Sequence, residues 1–159
     1  MQSISHKLAS VSIRRPDPAD FDDISMLMAG GSAQASLVIS RLSADDVYAY
    51  MAEDERVFGF VTCGAPLIAE KGVGEIIAIF VSPQHRGFGM GKKLLVRGLS
   101  VLKRRGFEIA TLWVNEDNLV DGFLESLGFE LAVETRELNL PDGNVALQRC
   151  FCRPLDDYF

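Results

Sequence analysis

The sequence predicts a mixed α/β domain in which one central sheet of about seven strands is flanked by about four helices. The chain has 159 residues, enough for one domain with a substantial core, and we expect residues 1–159 to form a single domain. Apolar residues recur in some segments with the period of a strand and in others with that of a helix. The two kinds of segment follow one another as strand, two helices, three strands, helix, strand, helix and two strands, an order that favours one shared sheet.

The first elements follow a short leader. Residues 1–10 are predicted to be loose, and residues 11–14 to form a strand. Asp17 is placed to cap a helix and Pro18 to begin it, because proline suits the first helical position and aspartate accepts bonds from free amides. Gly30-Gly31 is predicted to end this helix.

The middle of the chain predicts a second helix and three strands. The helix lies within residues 33–42. Residues 47–52 and 56–63 are predicted to be strands of a hairpin that turns at Asp54-Glu55. Residues 74–81 form an apolar run, which predicts a strand that is buried on both faces.

The remaining elements are a long helix, a strand, a short helix and two final strands. The long helix starts at Gly89 or Met90 and ends at Arg105, with basic residues in its last turn and Gly106 after it. The short helix follows Asp117 or Asn118 and has apolar residues at helical spacing. The strands are predicted over residues 107–114, 129–137 and 145–152.

Composition narrows the function classes. The formal net charge of −6 and the pI of about 4.9 argue against broad binding to nucleic acid or to an anionic membrane surface. The longest aliphatic and aromatic run has six residues, whereas a membrane-spanning helix needs about 20. We expect a cytoplasmic protein with three free cysteines and no metal, since His6 and His85 have no ligands at metal-site spacing.

Residues 81–92, VSPQHRGFGMGK, are the most informative segment. A strand runs into a glycine-rich turn that opens a helix, and such a turn gathers backbone N–H groups that attract phosphate. An ATP-binding loop would need glycine in place of Arg86 and serine or threonine in place of Lys93. A dinucleotide fingerprint would need glycine in place of Lys92. Neither pattern fits the turn.

The pattern Arg86-x-x-Gly89-x-Gly91 resembles the coenzyme-A loop of the GNAT superfamily of N-acetyltransferases. The preceding Ile79-Phe80-Val81-x-Pro83 is similar to the strand and proline that lead into that loop. The resemblance continues more loosely through Asn118 and residues 123–129, which end in Leu127-Gly128-Phe129. Helix and strand order agree with the family over nearly the whole chain.

This resemblance implies acetyl-coenzyme A (acetyl-CoA) as cosubstrate and a set of residues that bind it. The pantetheine arm is expected in a split of the sheet, beside the backbone of Phe80 and Val81. Asn118 matches a position that often contacts the cofactor arm, and Lys92 is either a phosphate contact or a solvated helix residue. The amides expected to hold the pyrophosphate belong to Arg86, Gly87, Phe88, Gly89, Met90, Gly91 and Lys92.

The sequence offers one leading candidate for the general base and none at the family's position for the general acid. Glu75, six residues before Val81, matches the base glutamate of the histone-acetylating branch of the family, and the alternative is a polar residue at the start of a strand. Leu124 occupies the position at which many family members carry a tyrosine that protonates the departing thiolate. We expect both Leu124 and Phe123 to pack in the core. His85, beside the loop, is expected to be exposed, and the alternative is a base. The aspartates at the first helix either offset its dipole or form an acidic rim for a cationic acceptor; they are Asp17, Asp20, Asp22 and Asp23.

The predicted function is transfer of an acetyl group from acetyl-CoA to a primary amine by direct attack in a ternary complex. The acceptor is a small molecule or a peptide whose identity the sequence does not give. Two alternatives remain: a catalytically weak acyl-CoA-binding sensor or structural module, and an acyltransferase for a larger acyl group. The alternation of Val145, Leu147 and Phe151 fits a homodimer edge and fits an ordinary sheet equally well.

Overall fold

The computed structural model describes residues 11–28, 33–116 and 122–156 of the chain. Its strands form one seven-stranded sheet in the order β1-β2-β3-β4-β5-β7-β6. The strands are β1 (Ser12–Arg14), β2 (Val47–Glu53), β3 (Val57–Gly64), β4 (Val73–Val81), β5 (Ile109–Asn115), β6 (Glu130–Asn139) and β7 (Val145–Pro154). The helices are α1 (Phe21–Leu27), α2 (Ala33–Arg41), α3 (Met90–Arg104) and α4 (Phe123–Ser126), with short 3-10 turns at Pro18–Asp20 and Pro83–His85.

This architecture confirms the predicted fold class and the predicted order of elements. Strands β1 to β4 are antiparallel neighbours, β4 and β5 run parallel, and β5, β7 and β6 are again antiparallel. Helix α3 makes the crossover between the two parallel strands, as a parallel pair requires. The predicted leader, the helix end at Gly30-Gly31 and the helix start at Asp117 or Asn118 lie outside the described residues.

The two faces of the sheet carry different helices. Helix α3 packs over one face through fully buried leucines, and Gly98 lets it approach closely, because a Cβ there would lie 2.9 Å from Ile76 Cδ1. Helices α1 and α2 cover part of the other face, where Ile24 and Val38 meet Met51 and Phe60. Among the described residues, no helix is both long enough and apolar enough to cross a membrane.

Strands β4 and β5 separate partway along their length. Their pairing runs from Val73 with Ile109 to Ile76 with Leu112, although β4 continues to Val81 and β5 to Asn115. On its other side, β4 stays paired with β3 up to Val81, with a register shift where Cys63 pairs with Ile76 and Thr62 with Ala78. The sheet therefore has a V-shaped opening between β4 and β5, which we call the split.

The split corrects one prediction about burial. The apolar run of residues 74–81 predicts a strand buried on both faces, but Ile77, Ala78, Ile79 and Phe80 are only half-buried. These residues lie on the stretch of β4 that has no strand partner on the β5 side. Their apolar character therefore provides a lining for the split as well as a part of the core.

The packing of α3 gives a direct test of the fold. Leu99 is fully buried between α3 and the sheet, so Leu99→Ala should lower the free energy of unfolding by about 2–5 kcal/mol, through lost burial and the cavity left behind. The matched control Lys93→Ala, on the exposed side of the same helix, should change it by less than about 0.5 kcal/mol. Urea unfolding followed by circular dichroism measures both, and equal effects would contradict the packing described.

Candidate active site

The turn after β4 is fixed by hydrogen bonds to the strand end. The backbone N–H of Ser82 donates to the carbonyl of Phe58 at 2.7 Å, which keeps the chain paired with β3 just past Val81. Arg86 then folds back, and its Nε donates to the carbonyl oxygen of Val81 at 2.9 Å. The arginine of the sequence motif thus satisfies the last carbonyl of β4, a role that the motif itself does not reveal.

His85 braces the same turn from the side. One ring nitrogen lies 2.7 Å from Ser82 Oγ and the other 3.0 Å from a carboxylate oxygen of Asp54, in the β2–β3 turn. Its ring also stacks on Phe58, with 4.0 Å between ring centroids. The prediction that His85 is exposed is therefore wrong: the side chain is one-fifth exposed and joins two loops.

The glycines of the turn have the conformation and the open surroundings that a phosphate site needs. Gly87 and Gly89 have φ values of 87° and 81°, which residues with a side chain rarely adopt. A Cβ on either glycine would meet no described protein atom within 4 Å. Gly89 caps α3 and its carbonyl accepts from Lys93 N at 3.1 Å. The first amides of a helix have no partner within it, so the amides after Gly89 are available to an anion.

The other predicted cofactor residues have varied surroundings. The amide of Arg86 is directed at the Pro83 carbonyl at 3.4 Å, within the turn. Phe88 is half-buried, Met90 is buried in the core under α3, and Lys92 is exposed. Phe80 and Val81 lie on the part of β4 that borders the split. Asn118 is outside the described residues, so its predicted contact stays a prediction.

The residues at the tyrosine position of the family behave differently from each other. Leu124 is buried in the main core, which confirms the prediction of core packing. Phe123 contradicts that prediction, because 40% of it is exposed and its ring lies near Gly91, where a Cβ would be 3.5 Å from Phe123 Cζ. The short α4 helix turns this side chain toward the start of α3 and not into the core.

The tyrosines described in the structure lie away from the split. Tyr48 and Tyr50 are on β2 and pack against the core beneath α3. Guanidinium groups of that helix region cover their rings, with Arg105 Cζ 4.5 Å from the Tyr48 centroid and Arg97 Cζ 5.1 Å from that of Tyr50. Tyr158 is outside the described residues. Within the described part of the chain, no tyrosine is placed as a general acid.

Glu75 lies in the last part of β4 that is still paired with β5, opposite Thr111. It faces away from α3, toward the end of α2, and only 4% of its side chain is exposed. Arg41 Nη1 lies 3.5 Å from Glu75 Oε2, and Arg136 Nη1 lies 3.8 Å from Glu75 Oε1. No described group hydrogen-bonds to Oε1, so this buried oxygen has an ion pair but no donor at bonding distance.

Burial raises the pKa of Glu75, although the nearby guanidinium groups of Arg136 and Arg41 both lower it. A carboxyl group whose pKa is higher in the folded chain stabilises the fold below its ordinary pKa. It loses that contribution as the pH rises through the raised value. Ionised Glu75 is therefore costly to the fold, and such groups are often functional, although ion-pair networks also perturb the pKa.

Arg136 was not identified from the sequence, because it comes from β6, about sixty residues after Glu75 along the chain. Its Nε donates to Gln148 Oε1 at 2.8 Å, and Gln148 Nε2 donates to Asn115 Oδ1 at 2.8 Å. The guanidinium also lies over the ring of Trp113, 4.4 Å from the centroid. Only the pairing of β5, β7 and β6 brings these groups together, so no local sequence signal could have revealed them.

Comparison with known proteins places these features in a family. Residues 17–129 match the model of the acetyltransferase (GNAT) family. An uncharacterised N-acetyltransferase from Archaeoglobus fulgidus is 38% identical over 81 residues, 48% of this chain and 55% of that protein. A similar relative from Methanocaldococcus jannaschii is 40% identical over 76 residues, 45% of this chain and 34% of that protein. The chain thus matches about a third to a half of the length of these curated relatives.

Solved structures share the fold at low sequence identity. The ribosomal-protein-S18-alanine N-acetyltransferase of Escherichia coli has a TM-score of 0.69 at 18% identity, covering 94% of this chain and 96% of that one. A candidate acetyltransferase from Salmonella typhimurium, solved with its cofactor acetyl-CoA, has a TM-score of 0.68 at 20% identity, covering 94% and 96%. With the sequence match over residues 17–129, the chain belongs to the acetyltransferase (GNAT) family.

Proposed function

We propose that this protein transfers an acetyl group from acetyl-CoA to a primary amine, by direct attack in a ternary complex. One observation carries the proposal: β4 parts from β5 directly before a glycine turn that opens α3, and a buried carboxylate lies where the strands part. This arrangement offers an extended backbone, an anion site and a base along one short path.

The turn and the split fit the two ends of coenzyme A. The open positions beside Gly87 and Gly89 leave room for a pyrophosphate against the amides of the turn and of the first turn of α3. The backbone of β4 near Phe80 and Val81 lacks a partner on the β5 side, which suits an extended pantetheine arm that also contains amides. A relative of the same fold was solved with acetyl-CoA, which supports this assignment.

Glu75 is the base in this proposal. When bound, acetyl-CoA supplies an activated thioester, and the amine must lose a proton before it can attack, since alkylammonium groups have a pKa near ~10. Glu75 accepts that proton through an intervening water, because only 4% of its side chain is exposed and the amine does not contact the carboxylate directly. The new C–N bond forms as the C–S bond breaks, and the nitrogen then releases its second proton to solvent. The thiolate leaves with the electron pair and is protonated by solvent, which its pKa of about 8.5 permits.

The glycine turn can be tested by blocking it. Gly89→Trp should weaken acetyl-CoA binding by at least about tenfold in titration calorimetry, because the new side chain occupies the space beside the amides. The matched control is Gly143→Trp in the β6–β7 turn, where φ is 87° and a Cβ likewise meets no described atom within 4 Å. Both variants place tryptophan at a positive φ, so the two substitutions impose similar backbone strain. Equal losses of acetyl-CoA binding would therefore argue against a cofactor site at Gly89.

The base can be tested by rate and by pH. Glu75→Gln should lower kcat for thiol release in the presence of an amine by about 100-fold or more, the usual contribution of a general base. In the parent, the rate should fall as the pH drops through the raised pKa of Glu75, because only the carboxylate accepts a proton. The variant should lose this acidic limb.

A matched variant separates the base from general charge effects. Glu130→Gln removes an exposed carboxylate at the start of β6 and should leave both kcat and the pH profile as in the parent. If Glu75→Gln kept the parent rate and its acidic limb, Glu75 would not be the base. If acetyl-CoA bound but no amine released thiol, the proposed transfer itself would be wrong.

A further inference from the structure

The surroundings of Glu75 contain more positive than negative charge. Two guanidinium groups, of Arg41 and Arg136, lie within 4.0 Å of one carboxylate, so this cluster has a formal charge of +1 in a chain whose net charge is −6. The pKa of Arg136 is lowered by burial, which means that its charge is held in a poorly solvated place. A partly desolvated cation is stabilised by an anion at hydrogen-bond distance, which Glu75, at 3.8 Å, does not provide.

The two arginines are not equivalent. Arg41 is occupied, because its Nη2 donates to the carbonyl of Ala65 at 2.8 Å and its Nη1 to Glu75 Oε2 at 3.5 Å. Arg136 uses its Nε for Gln148, but its ion pair with Glu75 Oε1 spans 3.8 Å, beyond hydrogen-bond length. About a third of the Arg136 side chain is exposed, almost twice the fraction for Arg41.

Arg136 is also held in a fixed orientation. Gln148, only 2% exposed, holds the Nε edge and is itself anchored to Asn115. Trp113 covers one face of the guanidinium. Among the described residues, none hydrogen-bonds to Nη1 or Nη2 of Arg136, so this edge of the guanidinium is the part available to a ligand. A guanidinium with a fixed plane and an available edge suits bidentate binding of a carboxylate.

We propose that the acceptor is an α-amino acid or a close analogue, and that Arg136 binds its carboxylate while its amine is presented to Glu75. This inference rests on the proposed acetyl transfer and names the substrate class for it. The carboxylate of Glu75 and the guanidinium of Arg136 lie side by side, at 3.8 Å. An α-amino acid carries the complementary pair, an ammonium and a carboxylate on one carbon.

The same geometry argues against a polyamine as the preferred acceptor. The second ammonium group of a polyamine would lie near the guanidinium of Arg136 and be repelled by it. Glu75 would not offset this repulsion, because its one carboxylate already pairs with both Arg41 and Arg136. Of the aspartates at the first helix, Asp20 is not free to bind a cationic acceptor, because it is paired with Arg14 at 3.0 Å, and Arg14 also pairs with Glu53 at 2.7 Å. Binding of an acceptor carboxylate would instead supply the anion that the cluster lacks.

The test compares amino acids with their amides as acceptors of acetyl-CoA in the thiol-release assay. The amide keeps the amine and the side chain but removes the negative charge. The parent should show a kcat/KM at least about tenfold higher for the amino acid than for its amide, because the charge-assisted bonds to Arg136 are lost with the amide. In Arg136→Gln, the KM for the amino acid should rise by at least about tenfold and the preference should disappear, whereas Arg136→Lys should restore part of it.

Controls separate binding from structure. Arg105→Gln removes the guanidinium that covers Tyr48 at 4.5 Å, a contact of the same kind on the far side of the sheet, and should leave the preference intact. Acetyl-CoA binding by calorimetry should be the same in the parent and in Arg136→Gln. If the variant lost activity equally toward amino acids and amides, Arg136 would have only a structural role, and the inference would be overturned.

The acceptor preference of the parent protein tests the amino-acid inference even if Arg136→Gln fails to fold. A parent that prefers amides, peptides or polyamines over free amino acids overturns the amino-acid inference but leaves the proposed acetyl transfer intact. Absence of thiol release with every amine overturns the proposed function instead. Competitive inhibition by N-acetylated amino acids, but not by their amides, would support the binding of a carboxylate independently of any variant.

Discussion

The loss of hydrogen bonding between β4 and β5 after Ile76 is the constraint on which the rest of the structure depends. A strand in the middle of a sheet normally has partners on both sides, since unpaired buried backbone groups are costly. Here β4 keeps β3 as its partner up to Val81 but loses β5. The half-buried apolar side chains of residues 77–80 and the turn bonds from Ser82 and Arg86 maintain an extended strand there without a second partner.

The separation also explains why charged groups gather at its closed end. Glu75 is in the last paired stretch of β4, and the diverging strands leave space there for side chains from α2 and β6. Burial raises the pKa of Glu75, so ionisation of this carboxylate is unfavourable in the fold. Arg41, Arg136 and Gln148 compensate in part, and the unbonded Oε1 remains as the incomplete part of the network.

Much of the fold and part of the candidate site could be predicted from the sequence. Strand and helix periods predicted the order of the described strands and α-helices, and the glycines of the turn were visible as a pattern after an apolar strand. The candidate site residues that belong to one continuous segment, from Glu75 to Lys92, could be predicted in the same way. Arg41, Trp113, Arg136 and Gln148 could not, because their proximity depends on strand order and register, which local periodicity does not encode.

The sequence by itself determined the period of each element, the place of the glycine turn at the start of α3, and the absence of a tyrosine at position 124. The tertiary structure decided where the sheet opens, which face Glu75 occupies, that His85 braces the turn and is not exposed, and that Phe123 leaves the core. The physical reason is the range of the interactions. Backbone conformation responds to neighbours within a few residues, whereas burial, ion pairing and the pKa of a carboxylate are set by groups that only the folded sheet brings together.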